Sequence, residues 1–111
     1  MSKKSEQEKS IINIDIRYTV INHEARVSLN LDFSEYSVAD IIYNICKKPG
    51  NEWVGWCSVS KAKLSNFIGI TPRQVFNIIK KLEKKGILKR SKQGFLKTTN
   101  LWYETVIIVS V

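Results

Sequence analysis

Arg73, Asn77, Lys80 and Lys84 recur at intervals of three or four residues, with Gln74 and Lys81 beside them. At about 3.6 residues per turn, that spacing gathers guanidinium, carboxamide and ammonium groups along one side of a helix. Arginine offers a planar fork of donors that matches the two acceptors of guanine. Asparagine and glutamine present the donor–acceptor pair that adenine requires. Ammonium groups are better suited to phosphate oxygens. Arg73, Gln74 and Asn77 are therefore the candidates for reading base edges. Lys61, Lys63, Lys80, Lys81, Lys84, Lys89, Arg90, Lys92 and Lys97 are the candidates for gripping a phosphate backbone.

The distribution of charge supports the same chemistry. Residues 61–97 hold 11 Lys or Arg and a single acid, Glu83, a local charge of +10 in a chain whose net charge is +8. The rest of the 111 residues is thus slightly acidic. Positive charge concentrated on one structural unit implies a polyanionic partner. A cationic helix face also occurs as plain solvated surface, but here it follows a glycine turn and a capping signal and precedes a second basic segment.

The elements that must position these groups are marked in the chain. Thr71-Pro72-Arg73-Gln74 supplies a cap residue, a proline at the first helical position and a glutamine three residues after the cap. Gly86, after Lys84 and Lys85, closes that helix, predicted over 72–85. Val75, Ile79 and Leu82 form its apolar side, with Ile78 at the margin. A preceding helix, Lys61–Ile68, is capped by Ser60, stopped by Gly69, and turns Ala62, Leu64, Phe67 and Ile68 inward. An earlier helix starts at Ser34 or Ser37 and runs through Lys48, with the stripe Val38, Ile41, Ile42 and Ile45, ending before Pro49-Gly50. Short strands are expected at Trp53–Val59 and Ile87–Arg90, then a turn at Ser91–Gly94, and a last strand at Leu101–Val109.

The amino-terminal third reads differently. Residues 1–10 are polar after Met1 and are expected to be disordered. Ile12, Ile14, Ile16, Tyr18 and Val20 alternate with polar residues, as do Val27, Leu29, Leu31 and Phe33, with Asn22-His23-Glu24 between them. This predicts a β-hairpin within residues 11–35, ahead of a DNA-binding domain over 36–111. The hairpin either packs one face on the helices or pairs with a second copy, giving a homodimer through residues 11–33.

Other chemistries find little material. His23 stands alone in a polar turn, and Cys46, Cys57 and one His do not make a zinc set, so buried thiols are expected. No Gly-rich phosphate loop or Ser-His-Asp grouping is present, so no enzyme and no cofactor is expected. Glu35 and Asp40 suit the start of a helix. Trp53, Trp56, Trp102 and Tyr103 suit either base stacking in a single-strand binder or sheet packing, and their place in strands favours packing. With no signal-peptide pattern and no run long enough to span a bilayer, a cytoplasmic protein without membrane contact is expected.

Gly55-Trp56-Cys57, Ser60, Leu64, Gly69, Thr71-Pro72-Arg73, Leu82-Glu83-Lys84-Lys85-Gly86-Ile87-Leu88 and Asn100-Leu101-Trp102-Tyr103 together form a pattern. It resembles that of the winged-helix domains of phage and plasmid replication-initiation proteins over residues 36–106. The resemblance implies an α+β fold, a winged helix-turn-helix, here with an additional N-terminal β-hairpin. It also implies double-stranded DNA binding through the helix 72–85 and a basic wing at 89–97, in replication initiation of a mobile element. The lead-in is longer than that pattern expects and nothing follows Val111 here, so the chain reads as a piece of a longer protein or a small stand-alone binder. Two alternatives stay open: a dimeric transcription regulator on a palindromic operator, and a protein-interaction winged helix that does not bind DNA.

Overall fold

The computed structural model describes residues 18–47 and 55–108. Over these residues the chain is α+β, mostly helical, with one two-stranded antiparallel hairpin. No helix among the described residues is long and apolar enough to cross a membrane.

The first element corrects the sequence reading. Residues His23–Ser28 form a helix, α1, where the second half of a β-hairpin was expected. Asn22, taken for a turn residue, caps it: its side-chain oxygen accepts a hydrogen bond from the Ala25 N–H at 3.0 Å. Glu24, Ala25 and Arg26 favour a helix, and Ala25 is buried. The chain then reverses at Asn30, whose φ of 58° is one that asparagine tolerates better than most residues. The apparent alternation therefore does not describe one face. Leu31 is buried, while Val27 and Phe33 are 64% and 58% exposed. The hairpin of residues 11–35 loses its second strand, and the homodimer through 11–33 loses the hairpin on which it rested. Most of the first predicted strand lies outside the described residues, as does the head, 1–10.

Helix α2, Phe33–Cys46, begins earlier than Ser34 or Ser37 and ends before Lys48. Its start is set by a capping box. The Glu35 N–H donates to Asp32 Oδ1 at 2.8 Å, and the Asp32 N–H donates to Glu35 Oε1 at 2.9 Å. The alternation of Leu31 and Phe33 places Asp32 on the polar face of a strand, a reading that hides this cap. The predicted stripe Val38, Ile41, Ile42 and Ile45 is buried, joined by Tyr36 and Ala39.

The strand expected at Trp53–Val59 falls partly outside the described residues. Within them it shrinks to one bridge, in which Cys57 exchanges backbone hydrogen bonds with Leu96. Helix α3, Lys61–Ile68, is capped by Ser60 and ends at Gly69, whose φ of 89° is a conformation that glycine adopts without a steric penalty. Leu64 is fully buried and Ile68 partly so. Ala62 is exposed and Phe67 is 39% exposed, because Ser65 takes the second inward place and satisfies its hydroxyl by donating to the Ala62 carbonyl at 2.8 Å.

Helix α4, Pro72–Lys84, starts where predicted and ends one residue earlier, with Lys85 as its C-cap. The Gln74 N–H donates to Thr71 Oγ1 at 3.1 Å and the Thr71 N–H donates to Gln74 Oε1 at 2.8 Å. Val75, Ile79 and Leu82 are fully buried against α3 and α2. The chain leaves through Gly86 (φ 79°) into β1, Leu88–Arg90, which pairs with β2, Leu96–Thr98, in antiparallel register. Phe95 and Ser91 close the turn through two hydrogen bonds of 2.8 and 3.0 Å.

The last strand, expected over Leu101–Val109, is also corrected. Residues Asn100–Trp102 form a helical turn, α5, which continues as a π-helix over Tyr103–Ile108. The β-rich composition is overridden because helical spacing buries Trp102 and Val106 together, four residues apart. The Trp102 ring packs on Tyr36 with centroids 5.0 Å apart.

Candidate functional site

The buried side of α4 fixes what the other side presents. With Val75, Ile79 and Leu82 inward, the helix shows Arg73, Gln74, Phe76, Asn77, Lys80, Lys81 and Lys84 to solvent. Arg73, Asn77, Lys80 and Lys84 form the continuous stripe that their spacing predicts. Gln74 is exposed, but its side-chain oxygen is occupied in the capping box, which leaves its amide hydrogens as the groups it can offer.

The remaining candidates divide into several situations. Lys89 and Lys92 are exposed on the hairpin and its turn. Lys61, Lys63 and Lys97 are half-buried. The Lys97 ammonium lies 4.9 Å from the centroid of the Trp56 ring. Register places Lys89 directly opposite Lys97, two like charges across one antiparallel pair. Such an arrangement costs some tenths of a kcal/mol unless an anion relieves it.

Arg90 is not presented free. Its Nε donates to Glu83 Oε2 at 3.1 Å and its Nη2 to Glu83 Oε1 at 2.8 Å, a bidentate pair. This hydrogen bonding holds the Glu83 carboxyl below its ordinary range and the Arg90 guanidinium above its own. The one acid of residues 61–97 is thereby occupied, and the pair ties the end of α4 to β1. Lys81 is partly drawn toward α2, with its ammonium 4.0 Å from Glu35 Oε2.

Two participants were missed in the sequence. Glu35, read as a charge complementing a helix dipole, is buried and reaches α4. Its Oε1 accepts the α2 capping bond and also lies 3.6 Å from the Lys85 ammonium. Lys85 donates in addition to the Asn30 carbonyl, so this lysine anchors the end of α4 to the α1–α2 connection. The pattern Asp32-x-x-Glu35 was the available signal. The other is Phe76, an aromatic ring 40% exposed within the polar stripe. Its ring centroid lies 5.3 Å from the Lys80 ammonium and 5.8 Å from that of Lys61.

Away from this face, Val20, Ile21, Asn22, Tyr36, Asp40, Val106 and Ile107 line a cavity of about 440 Å³. Burial raises the Asp40 carboxyl above its usual range, opposed by Lys47 and by a hydrogen bond with Asn44. The two cysteines are free, and burial pushes the Cys46 thiol up to about 12 and the Cys57 thiol up to about 11. Cys46 donates to the Leu96 carbonyl at 3.5 Å. Burial thus favours the protonated thiol at both positions.

The α4 face can therefore bind a polyanion while presenting hydrogen-bonding groups near the start of the helix. Compared with protein-family models, curated proteins and solved structures, the chain matches none.

Proposed function

We propose that the chain binds double-stranded DNA as a winged helix. Helix α4 enters the major groove, α3 supports it across the tight turn, and the β1–β2 hairpin grips the backbone beside it. Arg73 and Asn77 read base edges and Gln74 contributes its amide hydrogens. The phosphate contacts come from among Lys61, Lys63, Lys80, Lys81, Lys84, Lys89, Lys92 and Lys97, four to six of them at once. Arg90 serves first to fix the wing to α4 through Glu83. The role is binding, in replication initiation of a phage, plasmid or other mobile element. That assignment rests on the resemblance of the motifs between Gly55 and Tyr103.

The observation that carries this reading is the geometry of α4. One side is fully buried by Val75, Ile79 and Leu82, and the opposite side presents Arg73, Asn77, Lys80 and Lys84 in one stripe. A helix held in this way has one face left with which to meet a ligand. With the carboxylate of Glu83 occupied by Arg90, that face is cationic.

A salt titration of duplex affinity tests the proposal. Four to six phosphate contacts, each releasing about 0.9 of a counterion, give a slope of log affinity against log salt of about −4 to −5. A flat response would remove duplex DNA as the ligand.

A further inference from the structure

We infer that Phe76 is a specificity residue, packing its ring against the C5-methyl group of a thymine in the major groove. The inference rests on the DNA-binding reading above and adds a residue and a base feature to it.

Arg73, Phe76, Asn77 and Lys80 stand at positions i, i+3, i+4 and i+7, so they share one face of α4. The register is fixed from the other side, where Val75, Ile79 and Leu82 are fully buried. A docking that brings Arg73 and Asn77 to base edges therefore brings Phe76 with them. Phe76, 40% exposed, is the one large apolar residue in that polar stripe. It has no group with which to satisfy the donors and acceptors of base edges, and burying those unpaired would oppose binding. The apolar feature that the major groove does offer is the thymine methyl.

The surroundings favour that contact. The ammonium groups of Lys80 and Lys61 lie 5.3 and 5.8 Å from the ring centroid, within the range of cation–π attraction. The ring therefore lies near two cations suited to phosphates, and Asn77, the next residue, carries a carboxamide suited to adenine. A site containing adjacent A·T pairs would engage Asn77 and Phe76 together.

Deoxyuridine differs from thymidine only by that methyl group and supplies the probe. Duplexes are selected from a random pool with the full chain, and the enriched duplex is remade with each thymine replaced singly by deoxyuridine. At one or two positions the unmodified protein should bind the deoxyuridine duplex roughly fourfold more weakly, the worth of one buried methyl group. Phe76→Ala should bind both duplexes equally, Phe76→Leu should keep most of the difference, and Asn77→Ala should keep all of it. The salt slope of Phe76→Ala should match that of the unmodified protein. Four results overturn the inference: indifference to the methyl at every thymine, full discrimination retained by Phe76→Ala, a shallower slope for that variant, or selection that enriches no thymine-containing site. Any of them with strong, salt-dependent duplex binding leaves the DNA-binding reading in place. Absence of duplex binding at low salt removes both.

Discussion

Glu83 lies among eleven cations in residues 61–97, and its carboxylate takes both bonds of the Arg90 fork. Its neighbours divide into groups that would read and groups that would grip, and substitutions separate the two. Arg73→Ala and Asn77→Ala should each lose about 1–3 kcal/mol on a preferred duplex and little on random duplex. Lys84→Ala and Lys92→Ala should weaken both substrates alike and shallow the salt slope. Equal losses for all four on both substrates would mean that α4 reads no bases. Glu83→Gln acts in the opposite sense. It removes a negative charge from the face and releases Arg90, so duplex affinity should rise and the slope should steepen by about 0.9, one further counterion. Competition binding at two salt concentrations checks this, and unchanged affinity and slope would mean that Arg90 cannot reach a phosphate even when released.

At the scale of elements, α4 depends on what its buried side and its exit require. Leu82→Ala should cost roughly 2–5 kcal/mol, because a fully buried side chain is removed from between α4 and its neighbours. Gly86→Val should also destabilise, although open space surrounds that position, because φ of 79° strains a β-branched residue. Denaturant unfolding measures both, and native-like midpoints would mean that the helix exit does not control the fold. Helix α4 was readable in advance because its signals are local and redundant: the cap at Thr71, Pro72, the Val75–Ile79–Leu82 spacing and the stop at Gly86. Helix α1 and the carboxy-terminal helix were not. In the first, four alternating residues outweighed an Asn22 cap and an Asn30 reversal that only the fold makes evident. In the second, β-branched composition was overruled by the burial of Trp102 and Val106, a tertiary effect. The candidate site divides in the same way. The cationic stripe follows from spacing, whereas the Arg90–Glu83 and Lys85–Glu35 pairs join residues seven and fifty positions apart and depend on how the elements pack.

The whole molecule carries a net charge of +8, with +10 confined to residues 61–97, and sets Lys89 against Lys97 across its hairpin. Self-repulsion of this kind opposes compaction, and it is screened as the Debye length falls to about 10 Å at 0.1 M salt. The free protein should therefore melt at a higher temperature as salt is raised from low values. Duplex should act in the reverse sense. A ligand that binds only the folded chain stabilises it by about 2.7 kcal/mol at one hundred times its dissociation constant. Because salt weakens that affinity steeply, the gain should be largest at low salt and shrink as salt rises. Melting curves with and without duplex should therefore converge with increasing salt, the free protein rising and the complex losing its advantage. A duplex-induced shift that stays constant across salt would mean that binding does not run through these cations. No shift at low salt would mean that the +10 surface serves another partner.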